Sequence, residues 1–176
     1  MGTSRSYYLT NFSEYIIKNQ PRRVLDLGVG FGKNGFLVRE YTDIWLWRYR
    51  KEEWETIIDG IEIYEPNINP CNQYIYDDIF IGDIKILLPS MGEYDLIVMT
   101  DVLEHFEKKD AERVMKEIKA HSTEFFVTTP VRVGNRVFKK GNVHESHISG
   151  EWNLAELEQF GQVKVLQDHT YQITSF

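Results

Sequence analysis

The sequence predicts an α/β layered fold built on a mostly parallel sheet. Short apolar runs without strict polar alternation are separated by helix-like stretches, a pattern typical of strands buried on both faces of a parallel sheet. Five such runs are Val24–Leu27, Ile57–Ile63, Ile79–Ile81, Leu96–Met99 and Phe125–Val127. Two more, Val163–Leu166 and Tyr171–Ser175, are joined by a turn near Asp168–His169. A connection this short cannot join parallel neighbours, so the last pair is predicted to be antiparallel.

The composition fits one globular domain. The chain has 176 residues, of which 42% are apolar and 27% are charged, and such a composition argues against disorder and collagen-like repeats. A chain of this size buries roughly 70% of its unfolded surface, which is enough for one good core. The net charge of −7 argues against bulk nucleic-acid binding as the main task.

Neither membrane insertion nor secretion is indicated. No apolar run approaches the ~20 residues of a membrane helix, and the N-terminus lacks the apolar stretch of a signal peptide. The single cysteine, Cys71, cannot form an intrachain disulfide. We therefore expect a soluble, cytoplasmic protein.

The connecting stretches differ in helical character. Lys33–Tyr49 is long and rich in aromatic residues, whereas Pro66 and Pro70 allow only a short helix before the third strand. Asp101–His121 is the clearest helix, because its apolar residues fall on one face. Asn153–Phe160 is a second clear helix.

The signals at the ends of this second helix are explicit. Asn153 can cap its N-terminus, with Glu156 three residues later as the partner of a capping box. Gly161 follows the last apolar residue and predicts the C-terminal end.

The most distinctive local pattern is a glycine-rich loop after the first strand, Asp26-Leu-Gly-Val-Gly-Phe-Gly32, followed by Gly35. Glycine is needed where backbone turns sharply or approaches a ligand closely. The loop can be a tight strand-to-helix turn, a dinucleotide fingerprint starting at Gly30, or a motif starting at Asp26. A buried, unpaired carboxylate costs several kcal/mol, so Asp26 needs partners such as loop amides or a cationic ligand group.

In the register that starts at Asp26, the loop resembles the first motif of class I S-adenosylmethionine-dependent methyltransferases. Three later segments resemble further motifs of that family in the same order, the last in the form of its methyltransferase-11-like group. They are Gly60-Ile-Glu-Ile63, Ile81-Gly-Asp-Ile84 and Tyr94-Asp-Leu-Ile-Val-Met-Thr-Asp-Val-Leu-Glu-His105. The resemblance covers residues 20–176. It implies S-adenosyl-L-methionine as cofactor and a Rossmann-like three-layer sandwich with a seven-stranded sheet of order 3-2-1-4-5-7-6, in which strand 7 is antiparallel.

The resemblance also implies roles for individual side chains. Glu62 would hold the ribose hydroxyls, Ile63 would pack on the adenine, and Asp83 would accept a hydrogen bond from the adenine amino group beside Ile84. The implied cofactor residues are Asp26, Gly28, Gly30, Phe31, Gly32, Glu62, Ile63, Gly82, Asp83, Ile84, Thr100 and Asp101. Simpler roles compete: a salt-bridged core position for Glu62, a turn for Asp83, and a helix cap for Asp101.

Methyl transfer from a sulfonium mainly requires positioning, so we expect a weak catalytic signature. His144 and His147, after the fifth strand, are the candidate general bases or substrate contacts. Two histidines at this spacing, even with Glu145, lack a further ligand cluster, and we expect no metal. His105 is expected to pack near the cofactor.

Two aromatic segments lie outside these motifs. The tryptophan-rich stretch Ile44–Trp54 is expected to be core and interface rather than a stacking platform. Residues 1–20 are expected to form an N-terminal helical segment that either closes over the cofactor or covers the sheet. Residues 21–176 would then be a single methyltransferase domain.

A small-molecule acceptor is expected, because the chain carries almost no added domain for gripping a macromolecule. The segment 130–144 contains Arg132, Arg136, Lys139 and Lys140 and no acid. It is either a solvated loop or a flap that recruits an anionic acceptor. We expect a monomer or homodimer without nucleic-acid or membrane partners.

Three other functions compete with this one. A non-catalytic cofactor-binding or scaffold protein would keep the same fold. A macromolecule methyltransferase is possible, although the fourth strand ends Thr100-Asp101-Val102 and lacks the Asn/Asp-Pro-Pro-Tyr-type motif of amino-group methylation. A nicotinamide oxidoreductase is disfavoured by Asp26, by Gly82-Asp83 and by the antiparallel end of the sheet.

Overall fold

The computed structural model describes residues 4–132, 144, 146–148, 151–167 and 169–175. Seven strands form one sheet of order β3-β2-β1-β4-β5-β7-β6. They are β1 (Arg23–Leu27), β2 (Ile57–Glu62), β3 (Asp78–Ile81), β4 (Tyr94–Thr100), β5 (Ser122–Pro130), β6 (Gln162–Leu166) and β7 (Thr170–Thr174). Strand β7 runs antiparallel to β5 and β6, and the other neighbours are parallel. The predicted Rossmann-like sheet is confirmed.

Helices cover both faces of the sheet. They are α1 (Leu9–Asn19), α2 (Lys33–Thr42), α3 (Pro70–Ile75), α4 (Ile84–Leu87), α5 (Lys108–His121) and α6 (Leu154–Glu158). Val24 and Val98 of the central strands pack with residues of α1, α2 and α3, whereas Leu25 and Met99 pack with residues of α4, α5 and α6. Since successive strand residues point to opposite faces, these two cores define the three-layer sandwich. None of the described helices is long and apolar enough to cross a membrane.

Helix α1 covers the sheet, while the residues before it reach the sheet's carboxyl edge. Phe12 and Ile16 are fully buried, and the Phe12 ring lies 4.9 Å from that of Phe126 in β5. By contrast, the Arg5 amide donates to Asp101 just after β4, and the Tyr8 hydroxyl donates to Asn34 in the first turn of α2. The N-terminal segment therefore packs on the sheet and also touches the edge where parallel strands end.

The predicted helix Lys33–Tyr49 is wrong beyond Thr42. Asp43 is wholly buried and accepts hydrogen bonds from Arg39 Nη1 at 2.6 Å and from the Glu55 amide at 2.8 Å. These bonds turn the chain away from the helix axis. As a result Trp45 and Trp47 are 58% and 78% exposed, rather than in the core.

The predicted helix Asp101–His121 begins only at Lys108. Asp101 has a left-handed backbone, with φ +54°, and Leu103–His105 form a short 3₁₀ turn before two extended residues. Burial of Leu103 in the core holds this turn against the sheet. Asp101 therefore does not cap α5.

Other local predictions are confirmed. The short α3 begins at the second proline, Pro70, with the Asn69 side chain capping it. The capping box of α6 is present, with Asn153 and Glu156 exchanging hydrogen bonds of 2.9 and 3.0 Å. Asp168, in the predicted turn before β7, lies outside the described residues.

A buried Arg39 fixes α2, the helix that follows the glycine loop. Its guanidinium, 1% exposed, bonds Asp43, the Thr56 and Ile75 carbonyls and Asp77 and lies 4.1 Å from the Trp54 ring centre. We expect Arg39→Met to lower the free energy of unfolding by about 3–5 kcal/mol, because Asp43 would lose its buried counter-charge. Chemical denaturation measures this loss.

The control for this prediction is Arg48→Met. Arg48 also approaches Asp43, at 3.6 Å, but its side chain is 25% exposed. It should cost about 1 kcal/mol or less. Equal losses in the two variants would contradict the role given to the buried guanidinium.

Candidate active site

The glycine loop between β1 and α2 uses backbone conformations that favour glycine. Gly28, Gly30 and Gly32 have φ values of +85°, +53° and +86°. A Cβ atom at Gly28 would lie 2.5 Å from Cγ2 of Val102. The loop thus requires glycine for both its turn and its contact with the segment after β4.

Asp26, the penultimate residue of β1, is a buried carboxyl held by two side chains. It is 1% exposed, and it accepts hydrogen bonds from Asn34 Nδ2 at 3.0 Å and from the Tyr76 hydroxyl at 2.6 Å. Burial raises the pKa of Asp26 to about 7, although the Tyr76 and Asn34 hydrogen bonds oppose the rise. Among the described residues, its hydrogen-bond donors are these two side chains rather than the expected loop amides.

These two partners extend the network in opposite directions. Asn34 accepts a 2.8 Å bond from the Tyr8 hydroxyl and donates to Thr100 Oγ1 at 3.0 Å. The Tyr76 hydroxyl accepts from the Gly35 amide at 3.1 Å. Burial raises the pKa of Tyr8 to about 12 and that of Tyr76 well above its usual range, so both hydroxyls stay protonated donors.

The sequence did not identify this network. Asn34 follows the glycine loop, and a polar residue in the first turn of that helix was its only signal. Tyr76 is 50 positions from Asp26, and nothing in its local pattern marked it.

Glu62, at the end of β2, is bound by backbone amides. It is 5% exposed, and it accepts from the Gly30 amide at 2.7 Å and from the Tyr64 amide at 2.8 Å. Within the described residues its contacts are thus amides rather than the cation of a salt-bridged core position. Phe31 and Ile63, on the adjoining loops, are 59% and 38% exposed.

Asp83 caps the short helix α4. One carboxylate oxygen accepts from the Lys85 amide at 2.9 Å, and the other lies 3.7 Å from Lys85 Nζ. Gly82 donates to the Glu62 carbonyl at 2.9 Å, and Ile84 is buried. The turn role is therefore filled, and the side chain remains 28% exposed for further contacts.

Asp101 anchors the N-terminal segment at the end of β4. Its carboxylate accepts from the Arg5 amide at 3.2 Å and from Thr128 Oγ1 at 3.1 Å. The Lys33 ammonium, on the first turn of α2, donates to the Ser4 carbonyl. Residues 4–8 thus run along the carboxyl edge of the sheet.

Of the two candidate bases, His144 is exposed and His147 is half-buried. The His147 ring centre lies 5.1 Å from that of His105, whose Nδ1 is 3.1 Å from the Ser146 carbonyl oxygen. The Glu104 carboxyl, 2% exposed, lies within 4.8 Å of a ring nitrogen of each of these two histidines. Burial raises the pKa of Glu104 well above the usual value, and the charge of Asp101 adds to the rise.

The sequence did not predict that Glu104 and His105 join His147, since some 40 residues separate them. Arg132 is exposed. The rest of the basic segment, with Arg136, Lys139 and Lys140, lies outside the described residues, as does Glu145.

The comparison with protein families agrees with this geometry. The sequence model of a family described as "Methyltransferase domain" matches residues 4–168. The chain belongs to this methyltransferase family. A search of curated proteins finds no match.

Solved structures share the fold of this methyltransferase. The N-terminal domain of EvdMO1, crystallised with SAH and D-fucose, has a TM-score of 0.63 at 14% identity, over 98% of this chain and 82% of that one. Magnesium protoporphyrin IX methyltransferase from Synechocystis, with bound SAH, has a TM-score of 0.64 at 13% identity, over 94% and 80%. The PH0226 protein of Pyrococcus horikoshii has a TM-score of 0.65 at 17% identity, over 96% and 86%.

The raised pKa of Asp26 predicts a pH-dependent stability. The folded-state pKa of about 7 lies above the ordinary 3.8, so the protonated Asp26 carboxyl stabilises the folded chain. This stabilisation is full below about pH 4 and is lost as the pH rises through about 7. Asp26→Asn removes this titration. The stability of the variant relative to the parent should therefore increase from about pH 4 to about pH 8, as measured by urea unfolding.

Asp78→Asn, at an exposed carboxylate that starts β3, is the control and should show no comparable rise. A stability difference for Asp26→Asn that stays constant with pH would exclude the assigned titration.

Proposed function

We propose that this methyltransferase transfers the methyl group of S-adenosyl-L-methionine to a small-molecule acceptor. The observation that carries the proposal is the Glu62 carboxylate, which joins the end of β2 to the Gly30 amide of the glycine loop. SAH, the demethylated product of that cofactor, in two structures of the same fold supports the choice of cofactor. The bound cofactor supplies a methyl group already activated on a sulfonium.

The side chains at the carboxyl edge fit such a ligand. Each Glu62 oxygen accepts one amide, and a carboxylate oxygen can accept a second bond, which leaves capacity for two ribose hydroxyls. Phe31 and Ile63 expose apolar surface at the same edge, and an adenine ring would cover it. Asp83 would accept from the adenine amino group through the oxygen that does not cap α4.

The chain's own contribution to the reaction is mainly orientation. Holding the acceptor in line with the methyl group supplies several kcal/mol of the barrier reduction. In this proposal His147, half-buried near the segment that follows β4, and the exposed His144 would contact the acceptor. Either would accept its proton where the nucleophile must lose one.

The acceptor itself is proposed to be anionic. Arg132 is exposed just after β5, and it begins a stretch with four basic residues and no acid. Cations at the mouth of a crevice raise the local concentration of anions and their association rate. The acceptor's Michaelis constant should therefore rise with salt.

The domain boundaries, the compartment and the oligomeric state are part of the same proposal. Residues 1–20 would form an N-terminal segment that borders the cofactor through Ser4–Tyr8, and residues 21–176 the methyltransferase domain. The lone, exposed Cys71 suits a reducing compartment, and we propose a cytoplasmic monomer or homodimer.

Native mass spectrometry of the purified chain tests the function directly. We expect retained S-adenosylmethionine or its homocysteine product, and transfer of a labelled methyl group to a small molecule in a cell extract. Binding without any labelled product would favour a non-catalytic protein. Label in protein or RNA would favour a macromolecule methyltransferase.

Glu62→Ala should weaken cofactor binding at least tenfold. The variant loses a charged acceptor for the ribose hydroxyls, and such a hydrogen bond is worth ~1.5–3 kcal/mol. Isothermal calorimetry measures the affinity. Glu65→Gln, at an exposed acid three residues away, is the matched control and should bind as the parent does. Unchanged affinity in Glu62→Ala would remove this assignment.

Asp83→Ser separates the two roles of Asp83. Serine can still cap α4, so stability should be retained, whereas the acceptor for the adenine amino group is lost. The preference for adenosyl over inosyl ligands should therefore fall in Asp83→Ser, and by a similar factor in Asp83→Ala. If the serine variant keeps the parent's preference, Asp83 is a turn residue only.

A further inference from the structure

Three side chains with metal-binding atoms come together beside the crevice. The carboxylate of Glu104 and one ring nitrogen each of His105 and His147 lie within 4.8 Å of one another. Glu104 is buried and the two imidazoles are half-buried. The group therefore combines a desolvated carboxylate with two nitrogen ligands that solvent can reach.

The backbone holds this cluster against the glycine loop. Glu104 and His105 belong to the 3₁₀ turn after β4, and Val102, at the start of that turn, contacts Gly28. The second segment is fastened to the first, because the Ile148 amide donates to the Glu104 carbonyl at 3.0 Å. The segment that carries Glu104 and His105 thus lies beside the glycine loop of the proposed cofactor site.

The hydrogen bonding of His105 suits a metal ligand. Its Nδ1 faces the Ser146 carbonyl oxygen at 3.1 Å, and a carbonyl can only accept, so Nδ1 carries the proton. In a neutral ring the lone pair then lies on Nε2. Metal-binding histidines in proteins are oriented by such a hydrogen bond from the other ring nitrogen.

We propose that Glu104, His105 and His147 bind one first-row divalent transition-metal ion. Two imidazoles and one carboxylate suit Zn²⁺, Co²⁺ or Mn²⁺, whereas Mg²⁺ and Ca²⁺ prefer all-oxygen ligand sets. Ligand atoms at ~2.1 Å from one ion lie at most ~4.2 Å apart. The three ligand atoms, which lie within 4.8 Å of one another, would have to move slightly closer together to share one ion.

Three protein ligands leave at least one coordination position open, as in catalytic rather than structural sites. That position is available to an oxygen atom of the methyl acceptor, and with His147 bound to the ion the base of the proposed function would be His144. This use of the ion rests on the proposed function, whereas binding of the ion does not. The sequence-based expectation of no metal considered only His144, Glu145 and His147, and the fold adds Glu104 and His105.

Titration of the metal-free full chain with Co²⁺, followed by its visible absorption bands, tests the site. We expect one ion per chain, displaced by Zn²⁺ and not by equimolar Mg²⁺. His105→Ala and His147→Ala should each weaken Co²⁺ binding at least tenfold, and Glu104→Gln should do so without a change in side-chain volume. His169→Ala, at an exposed histidine that stacks on Tyr7, is the matched control and should bind Co²⁺ as the parent does.

Calorimetry with S-adenosylmethionine on the same variants separates the two proposals. Parent-like cofactor affinity in His147→Ala, together with lost Co²⁺ binding, supports the metal site and shows that the variant is folded. Co²⁺ binding by a chain that binds no cofactor would keep the site and remove only its use in methyl transfer. The site is overturned if the parent binds no Co²⁺, or if His147→Ala and His169→Ala bind it equally.

Discussion

The burial of one carboxyl group, Asp26, is the constraint on which the carboxyl edge of the sheet, with its proposed cofactor site, depends. A polar group removed from water must find partners, and Asp26 finds Asn34 from α2 and Tyr76 after α3. Tyr76 also accepts the Gly35 amide. The β1 terminus, the glycine loop and two helices are therefore held by one side chain and its partners.

The same constraint reaches the N-terminal segment. Asn34 accepts from Tyr8 and donates to Thr100, and Thr100 ends β4 next to Asp101, which accepts the Arg5 amide. Such a network is rigid when every member is satisfied. The carboxyl ends of β1 and β4, where the sheet order reverses, are thus fixed together, and this is where ligands bind in open α/β sheets.

How well each part could be predicted follows from how local its cause is. The strands were found because burial on both faces leaves an apolar run in the sequence, and the Asn153–Glu156 capping box because its partners are three residues apart. The helix boundaries at Thr42 and Lys108 were missed because non-local contacts set them: the buried Asp43 in one case, and the packing of Leu103 in the other. No periodicity encodes such contacts.

The residues of the candidate site also differ in how well the sequence predicts them. Glu62 and Asp83 were identified because they lie in short motifs at strand ends, whereas Tyr76 and the meeting of Glu104, His105 and His147 depend on segments that the fold alone brings together. Several of the motif residues also have structural tasks, since Glu62 binds the Gly30 amide and Asp83 caps α4. These bonds orient the side chains within the chain itself. A ligand that meets groups already held in place pays less ordering entropy on binding, so the hydrogen bonds that stabilise this edge of the sheet also prepare it to bind.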